Sequence, residues 1–328
     1  MNTYLSTIPR MKIAYLPTPV EKLTRLAAKI GLRELWIKRD DLTGLAFGGN
    51  KTRKLEYLIA AALANGAKTL ITTGAPQSNH CRQTAAAAAK FGLECVLVLT
   101  GEPPERYSGN LLLDHLFGAE LIWCQKEQRE ATIHEVFLSL WSSGKRPYLI
   151  PYGGSNSLGA LAYAQAMLEL KEQGVEVDWV IFPSSSGGTQ TGMLLGSKIG
   201  GISTRILGIS VDLNAEELQE KIYQLIAETI DAYSFPLSFH RAEILVEDSY
   251  RGKGYGIPTE ADIQAVREFA DSEGILLDPV YTGRAAAGLI DLVKRGIISS
   301  DASVLFWHTG GTPAIFAQQY EKLFCPAE

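Results

Sequence analysis

The stretch of the 328-residue chain that decides its fold is Leu45-Ala46-Phe47-Gly48-Gly49-Asn50-Lys51-Thr52-Arg53-Lys54-Leu55-Glu56-Tyr57. Its two glycines allow a close backbone approach just before a predicted helix. Lys51 then falls in the first turn of that helix, where unpaired N–H groups and the helix dipole favour anions over cations. Arg53 and Lys54 increase this mismatch. The cluster therefore predicts either an anionic partner or an ordinary solvated basic loop.

Short apolar runs alternate with longer helical patterns on both sides of this stretch. The runs are mostly continuous, as in strands covered on both faces; they are Leu35–Lys38, Thr69–Thr72, Cys95–Leu99, Leu121–Trp123, Tyr148–Ile150, Trp179–Phe182, Ile206–Val211 and Val304–Trp307. The helical patterns are Lys51–Asn65, Gln77–Phe91, Asn110–Leu116, Leu158–Gln173, Ala215–Ala232 and Glu260–Glu273. This alternation predicts an α/β fold with twisted, mostly parallel sheets.

The length of the chain favours two domains, because 328 residues exceed what one core usually serves. We expect residues 46–155 to form a small domain and residues 1–45 and 156–328 to form a large one, with the active site between them. A single doubly wound sheet of eight or more strands is the alternative.

Composition excludes several classes of function. Lys and Arg total 31 against 36 Asp and Glu, and the basic residues are spread out, so we expect no nucleic-acid partner. No apolar run reaches the roughly 20 residues of a membrane span, and no apolar segment follows Arg10 and Lys12 as a signal peptide would require. The four cysteines lack CxxC spacing, so we expect no metal site and a cytoplasmic location.

Glycine-rich or polar turns follow several predicted strands. Ser184-Ser185-Ser186-Gly187-Gly188-Thr189 could bind a phosphate through N–H and hydroxyl donors, although plain loops of this composition are common. Gln77-Ser78-Asn79-His80 could face a ligand or only cap a helix. Further turns lie at Leu277–Arg284 and Trp307–Pro313. Their convergence at strand ends predicts a ligand-binding cavity.

Taken together, these segments resemble the fold-type II pyridoxal-phosphate (PLP) enzymes, specifically the aminocyclopropane-carboxylate deaminase and D-cysteine desulfhydrase family. The resemblance is carried, in the family's order, by the following segments: residues 45–57, Gln77-Ser78-Asn79-His80, Ser186-Gly187-Gly188-Thr189, Gly254-Tyr255-Gly256-Ile257-Pro258, Asp278-Pro279-Val280-Tyr281-Thr282-Gly283 and His308-Thr309-Gly310-Gly311. The fold implied is that of the tryptophan synthase β-subunit, and the family implies a homodimer.

The resemblance also implies a role for each matched residue. Catalytic roles fall to Lys51 (the Schiff-base lysine), Ser78 (substrate carboxylate or reacting carbon) and two tyrosines beside the substrate, Tyr255 and Tyr281. Cofactor contacts fall to Lys51, Lys54, Asn79 at the 3′-oxygen, the phosphate cup Ser185, Ser186, Gly187, Gly188 and Thr189, and Thr282 and Thr309 near the pyridine nitrogen.

Thr282 separates two branches of the family. Ring-opening deaminases carry a glutamate after the second tyrosine, where a carboxylate stabilises a protonated pyridine nitrogen and strengthens the electron sink. The desulfhydrases carry threonine there, as this chain does, although Leu45-Ala46-Phe47 is deaminase-like. The resemblance therefore implies β-elimination from D-cysteine to pyruvate, ammonia and sulfide, with Lys51 or Tyr281 as the base and a lysine pKa lowered by neighbouring cations.

Three alternatives stay open. The first is deamination of aminocyclopropane carboxylate. The second is β-elimination from L-cysteine, cysteate or serine derivatives. The third is a PLP-binding carrier or regulator without turnover, against which the presence of Ser78, Tyr255 and Tyr281 counts.

Overall fold

The computed structural model describes residue 5 and residues 7–325. Over these residues the chain is α/β with two twisted sheets, as the sequence predicted. The larger sheet has six strands: β1 (Val20–Lys22), β2 (Glu34–Arg39), β7 (Trp179–Ser184), β8 (Arg205–Ser210), β9 (Leu245–Glu247) and β10 (Ser303–His308). The smaller has four: β3 (Thr69–Gly74), β4 (Glu94–Thr100), β5 (Glu120–Cys124) and β6 (Pro147–Leu149).

Both sheets are parallel apart from one edge strand. The larger sheet has the order β1-β2-β10-β7-β8-β9, with β1 antiparallel to β2, and the smaller has the order β5-β4-β3-β6. The last strand β10 lies between β2 and β7, with Val304 opposite Leu35 on one side and Trp179 on the other. All eight predicted strands are confirmed to within two residues at either end. The sequence did not predict the three-residue strands β1 and β9.

Helices connect the strands and cover both sheets. They are α1 (Thr24–Ile30), α2 (Asn50–Ala64), α3 (Asn79–Phe91), α4 (Gly109–Leu116), α5 (Arg129–Ser142), α6 (Ser157–Glu172), α7 (Gly188–Gly200), α8 (Ala215–Tyr233), α9 (Glu260–Glu273), α10 (Thr282–Lys294) and α11 (Gln318–Phe324). The six predicted helical patterns are confirmed. In the described ranges, no helix is long and apolar enough to cross a membrane.

The cores are organised around the sheets. Two buried apolar clusters pack on the six-stranded sheet, one containing Phe269 and Phe306 and the other Phe182 and Trp307. A third joins α2 and α3 to the four-stranded sheet and also contains Ile13 from the N-terminal segment. The domain limits at residues 46 and 155 stay a prediction, and the Ile13 contact crosses one of them.

Candidate active site

A cavity lies beyond the carboxyl ends of strands from both sheets. Turns that follow β3, β6, β7 and β10 form its wall together with the start of α2. The lining residues are Asn50, Lys51, Ser78, Asn79, His80, Tyr152, Gly153, Pro183, Ser184, Ser185, Ser186, Gly187, Thr189, Tyr281 and Thr309. Strand ends of this kind are where ligands bind in open α/β sheets.

Glycine packing places the first turn of α2 at the cavity. Gly49 has φ +126°, and a Cβ there would lie 2.6 Å from the amide nitrogen of Gln83. Gly310 has φ +87°, and a Cβ there would lie 2.6 Å from the Cα of Gly49. The two loops therefore pack backbone to backbone, and the N–H of Asn50 donates to the carbonyl of Thr309 at 2.9 Å. This contact fixes Lys51 relative to the end of β10.

The amine of Lys51 lies on the cavity wall and donates to Oδ1 of Asn50 at 2.9 Å. The pKa of Lys51 is lowered from 10.5 to about 8, chiefly because the amine is buried and secondarily because of the positive charge of Arg82, against a smaller opposing effect of Asp278. The cationic contribution was expected from the sequence. Burial, the larger cause, was not.

Lys54 lies three residues after Lys51 in α2, about one helical turn further along. Its amine donates to the carbonyl of Gly153 at 3.1 Å and to the hydroxyl of Ser155 at 3.3 Å. Burial holds the pKa of Lys54 well below its usual value, and the charge of Lys51 adds to this. Within the described part of the chain, neither lysine has a carboxylate at ion-pair distance.

Arg53 differs from the two lysines, because its anionic partners are carboxylates of the protein itself. Its guanidinium lies in the protein interior, with NH2 groups 2.8 Å from Asp40 and 2.9 Å from Glu169. Burial alone would raise the pKa of Asp40, but Arg53 keeps it below its usual range. Of these three basic residues, Lys51 and Lys54 are therefore the two without a carboxylate partner in the described residues, and Lys51 is the one that lines the cavity.

The turn from Ser185 to Thr189 leads into the start of α7. Gly187 has φ +84° and precedes the helix, whose first N–H groups have no intrahelical acceptor. A Cβ on Gly188 would lie 2.5 Å from the hydroxyl of Ser155, which contacts both Lys54 and Ser186. The turn and the Lys54 amine therefore share a single network of hydroxyl groups.

Ser78 and Asn79, which also line the cavity, lie at the start of helix α3. The hydroxyl of Ser78 accepts from the N–H of Cys81 at 3.2 Å, so it caps the helix and lines the cavity at the same time. The side-chain oxygen of Asn79 accepts from Arg82 and from Asn110. Ser78 therefore caps the helix and faces the cavity from the same position, so the two interpretations of this residue are compatible.

Tyr255 and Tyr281 form a pair through their hydroxyl groups, which lie 2.8 Å apart. Their rings meet edge to face, with centroids separated by 5.8 Å. Burial raises the pKa of both phenols well above the usual value. Tyr281 lines the cavity, whereas Tyr255 contacts it through Tyr281.

Thr282 does not line the cavity. Its hydroxyl donates to Oδ1 of Asp278 at 2.8 Å and accepts from the N–H of Asp278 at 2.8 Å. The carboxylate of Asp278 also accepts from the backbone of Val280 and Tyr281. Thr282 therefore holds the turn that carries Tyr281. Lys54, Gly188 and Tyr255 likewise support the wall from behind it.

Six lining residues were not predicted as site residues from the sequence: Asn50, His80, Tyr152, Gly153, Pro183 and Ser184. Nε2 of His80 lies 2.8 Å from the hydroxyl of Thr72, which also lies 2.9 Å from the carbonyl of Ile150. Nδ1 of His80 has no partner within the described ranges. The turn Pro151-Tyr152-Gly153-Gly154 after a predicted strand was the signal that could have identified Tyr152 and Gly153.

The family model described as pyridoxal-phosphate dependent enzyme matches residues 11–310. The chain belongs to this family. Curated relatives named D-cysteine desulfhydrase from Salmonella newport (strain SL254) and from Salmonella typhi are each 42% identical over 96% of this chain and 97% of their own length.

Two solved structures are also similar to this PLP-family enzyme. A structure titled an ACC deaminase homologue covers 98% of this chain and 97% of its own, with 38% identity and a TM-score of 0.90. A fungal L-serine ammonia-lyase from Rhizomucor miehei has 15% identity and a TM-score of 0.70, covering 95% of this chain and 98% of its own. The latter likeness shows the shared fold alone.

The residues around the cavity fit PLP on chemical grounds. The cofactor needs an amine that is uncharged at accessible pH, a cationic and N–H-rich site for a phosphate, and polar contacts around a ring. Lys51 provides the first, and Lys54 with the turn from Ser185 to Thr189 provides the second. Two desolvated lysines without a carboxylate partner in the described residues give an anionic ligand a clear electrostatic advantage.

Proposed function

We propose that this PLP-family enzyme catalyses β-elimination from D-cysteine, giving pyruvate, ammonia and hydrogen sulfide. The observation that carries the proposal is the 42% identity to D-cysteine desulfhydrases over 96% of the chain. The chemistry of the cavity supports a PLP enzyme without selecting a leaving group. The identity of Thr282 adds support, because no carboxylate occupies the position after the second tyrosine.

The binding roles follow from position. Lys51 would hold the cofactor's carbonyl carbon, and Lys54 with Ser185, Ser186, Gly187, Gly188 and Thr189 would hold its phosphate. Asn79 and Thr309 both line the cavity and would contact the ring. Ser78, at the first turn of α3, would bind the substrate carboxylate through its hydroxyl and the adjoining N–H groups.

Bound PLP supplies an electron sink that makes the substrate's Cα proton acidic. Lys51 is the better base for that proton, because a pKa of about 8 leaves a fraction of its amine uncharged at neutral pH. Tyr281 keeps its own proton across the physiological range, since burial raises its pKa. Tyr281, supported by Tyr255, would therefore donate a hydrogen bond toward the leaving sulfur rather than remove a proton.

Ring opening of 1-aminocyclopropane-1-carboxylate is a second candidate. The TM-score of 0.90 with an ACC deaminase homologue and the Leu45-Ala46-Phe47 segment favour it. Thr282 disfavours it, because ring-opening deaminases of the resembled family carry a glutamate at this position, whereas Thr282 has a neutral hydroxyl that is bonded to Asp278 behind the cavity wall. Elimination from L-cysteine, cysteate or serine derivatives, and PLP binding without turnover, are outcomes of the same experiment.

The experiment is a steady-state assay of the purified holoenzyme with D-cysteine, L-cysteine, cysteate, D-serine and 1-aminocyclopropane-1-carboxylate. Pyruvate and sulfide in equal amounts, with the highest kcat/KM for D-cysteine, are expected. The keto acid 2-oxobutanoate from the cyclopropane substrate would assign ring opening instead. No keto acid from any compound, while PLP stays bound, would support a carrier role. Lys51→Ala protein is the control for non-enzymatic elimination.

We also propose a homodimer in the cytoplasm, with residues 46–155 as the small domain. The support is family membership, exposed apolar side chains such as Trp141 and Leu138, and three buried free thiols, Cys81, Cys95 and Cys124. Light scattering of the holoenzyme and cell fractionation test the first two points. Limited proteolysis near residues 46 and 155 tests the third.

A further inference from the structure

Arg82 lies behind the cavity wall, in the second turn of α3, with no solvent exposure. Its guanidinium has three acceptors: Oδ1 of Asn79 at 3.1 Å, Oδ1 of Asn110 at 2.7 Å and the carbonyl of Gly48 at 2.7 Å. It therefore connects the start of α3, the start of α4 and the loop before Lys51. Burial lowers the pKa of Arg82 to about 10, which leaves the guanidinium charged at neutral pH.

These contacts determine the orientation of the Asn79 amide. Oδ1 of Asn79 accepts from Nη1 of Arg82 and from Nδ2 of Asn110, the latter at 2.9 Å. Rotating the amide by half a turn would put its NH2 group against two donors and leave both without an acceptor. The NH2 group of Asn79 is thus directed away from Arg82, at a residue that lines the cavity.

Asn110 is fixed in the same way. Its Oδ1 accepts from Arg82, and its Nδ2 donates both to Asn79 and to the carbonyl of Gln77 at 2.8 Å. Its backbone N–H donates to the side chain of Gln77 at 2.9 Å. Both the oxygen and the nitrogen of the Asn110 amide are therefore hydrogen-bonded. Rotating this amide to present an acceptor to Asn79 would break several buried hydrogen bonds.

We propose that Arg82, together with Asn110, is a positioning residue that holds Asn79 as a hydrogen-bond donor to the anionic ring oxygen of PLP. This inference rests on the proposed function, because it concerns the same cofactor. A hydrogen-bond donor to that oxygen stabilises the ionised form of the oxygen. The oxygen then attracts less strongly the proton that it shares with the nitrogen linking the lysine to the cofactor. Although Arg82 does not touch the cofactor, it would thereby influence the pH midpoint of the cofactor's visible absorption band.

A double-mutant cycle tests this proposal with a spectroscopic readout. The pH midpoint of the visible cofactor band is measured in wild type, Asn79→Ala, Arg82→Met and the double variant. Asn79→Ala is expected to raise the midpoint by about 1 pH unit, the size of one hydrogen bond to a charged group. Arg82→Met should also raise the midpoint, and the increase should be clearly smaller in the Asn79→Ala background than in wild type.

The cycle separates positioning from charge. Loss of the guanidinium charge acts through space and shifts the midpoint equally in both backgrounds, whereas positioning acts only when Asn79 is present. Equal shifts in the two backgrounds would overturn the proposal. Lys90→Met removes an exposed cation from the same helix and should leave the midpoint unchanged.

Asn110→Ala provides the same cycle without a change of charge and applies if Arg82→Met does not fold. Its shift should also disappear in the Asn79→Ala background, and a persistent shift counts against the proposal. Wild-type protein without any visible band after addition of PLP would instead defeat the proposed function. The two failures are therefore distinguishable.

Discussion

Lys51 gives the protein a pH-dependent stability, because its pKa differs between the folded and the unfolded chain. Its pKa is about 8 in the folded cofactor-free chain against 10.5 when unfolded. Below pH 8 the amine is protonated in both states, and its burial destabilises the fold. Between about 8 and 10.5 the unfolded chain binds more protons, so the free energy of unfolding rises with pH across that window.

We therefore expect cofactor-free Lys51→Met protein to be more stable than wild type below pH 8, with the difference shrinking as the pH rises toward 10.5. Urea unfolding at a series of pH values measures this. Lys90→Met, at an exposed position, is the matched control and should show no such trend. A stability difference between Lys51→Met and wild type that is constant with pH would contradict the lowered pKa.

Single residues were only partly predictable from the sequence. Lys51, Ser78 and Tyr281 lie at the cavity because they occur in motifs next to glycine turns and strand ends. The internal partners of Arg53 could not be foreseen, since Asp40 and Glu169 are distant in sequence and meet it only through packing. Thr282 was expected at the cofactor ring but is hydrogen-bonded to Asp278 behind the wall.

At the scale of elements, the loop after β10 and the start of α2 depend on two glycines in contact. A Cβ at Gly310 would meet the Cα of Gly49 at 2.6 Å, which is backbone and cannot rotate away. Gly92 also has a positive φ, +66°, but nothing lies within 4 Å of a Cβ there. The two positions share the conformational cost of a left-handed residue and differ in packing.

Gly310→Ala is expected to lower the free energy of unfolding by at least 2 kcal/mol, and Gly92→Ala by about 1 kcal/mol. Gly310 also fixes the loop whose Thr309 carbonyl accepts a hydrogen bond from the N–H of Asn50. Substitution of Gly310 should therefore weaken PLP binding, whereas the Gly92 variant should bind PLP as wild type does. Thermal unfolding and fluorescence titration with PLP measure the two effects. Similar behaviour of the two variants would mean that the loop contact does not position Lys51.

Elements were predicted well where the periodicity was long. Buried strands such as β3 and β4 appear as continuous apolar runs, and α9 starts at a capping box formed by Thr259 and Asp262. The strands β1 and β9 have three residues each, too few for a pattern to emerge. Helix α5 was not predicted because Ile133 is its one fully buried residue, so its apolar face is narrow.

At the scale of the whole molecule, a buried ionic network ties α2 to the six-stranded sheet and to α6. Arg53 from α2 bonds to Asp40 after β2 and to Glu169 from α6, while Asp40 also accepts from Trp307 of β10 at 2.8 Å. The amine of Lys38 donates to Glu169 as well. The helix that carries Lys51 is thereby fastened to three other elements.

Arg53→Met should destabilise the protein by about 3–5 kcal/mol, because it leaves the buried carboxylate of Asp40 without its cation. Denaturant unfolding of the cofactor-free protein measures the loss. The control is Lys145→Ala, which breaks an exposed pair with Glu94 and should change stability very little. A loss no larger than that of the control would show that the network does not hold the helix.

The overall architecture was predictable as a class but not as a topology. Strand–helix alternation indicated parallel sheets, yet the position of β10 between β2 and β7 depends on contacts across more than half of the chain. The contact of Ile13 with the core of the four-stranded sheet is of the same kind. Local patterns carry no information about such long-range pairings, which packing alone determines.

The most direct test of the central assignment is to reduce the PLP-loaded enzyme with borohydride and map the modified peptide by mass spectrometry. A secondary amine linking PLP to Lys51 is expected, with Lys54 unmodified, and the Lys51→Ala protein should show no stoichiometric adduct. Modification of Lys54 or another lysine in wild type, with Lys51 unmodified, would contradict the account.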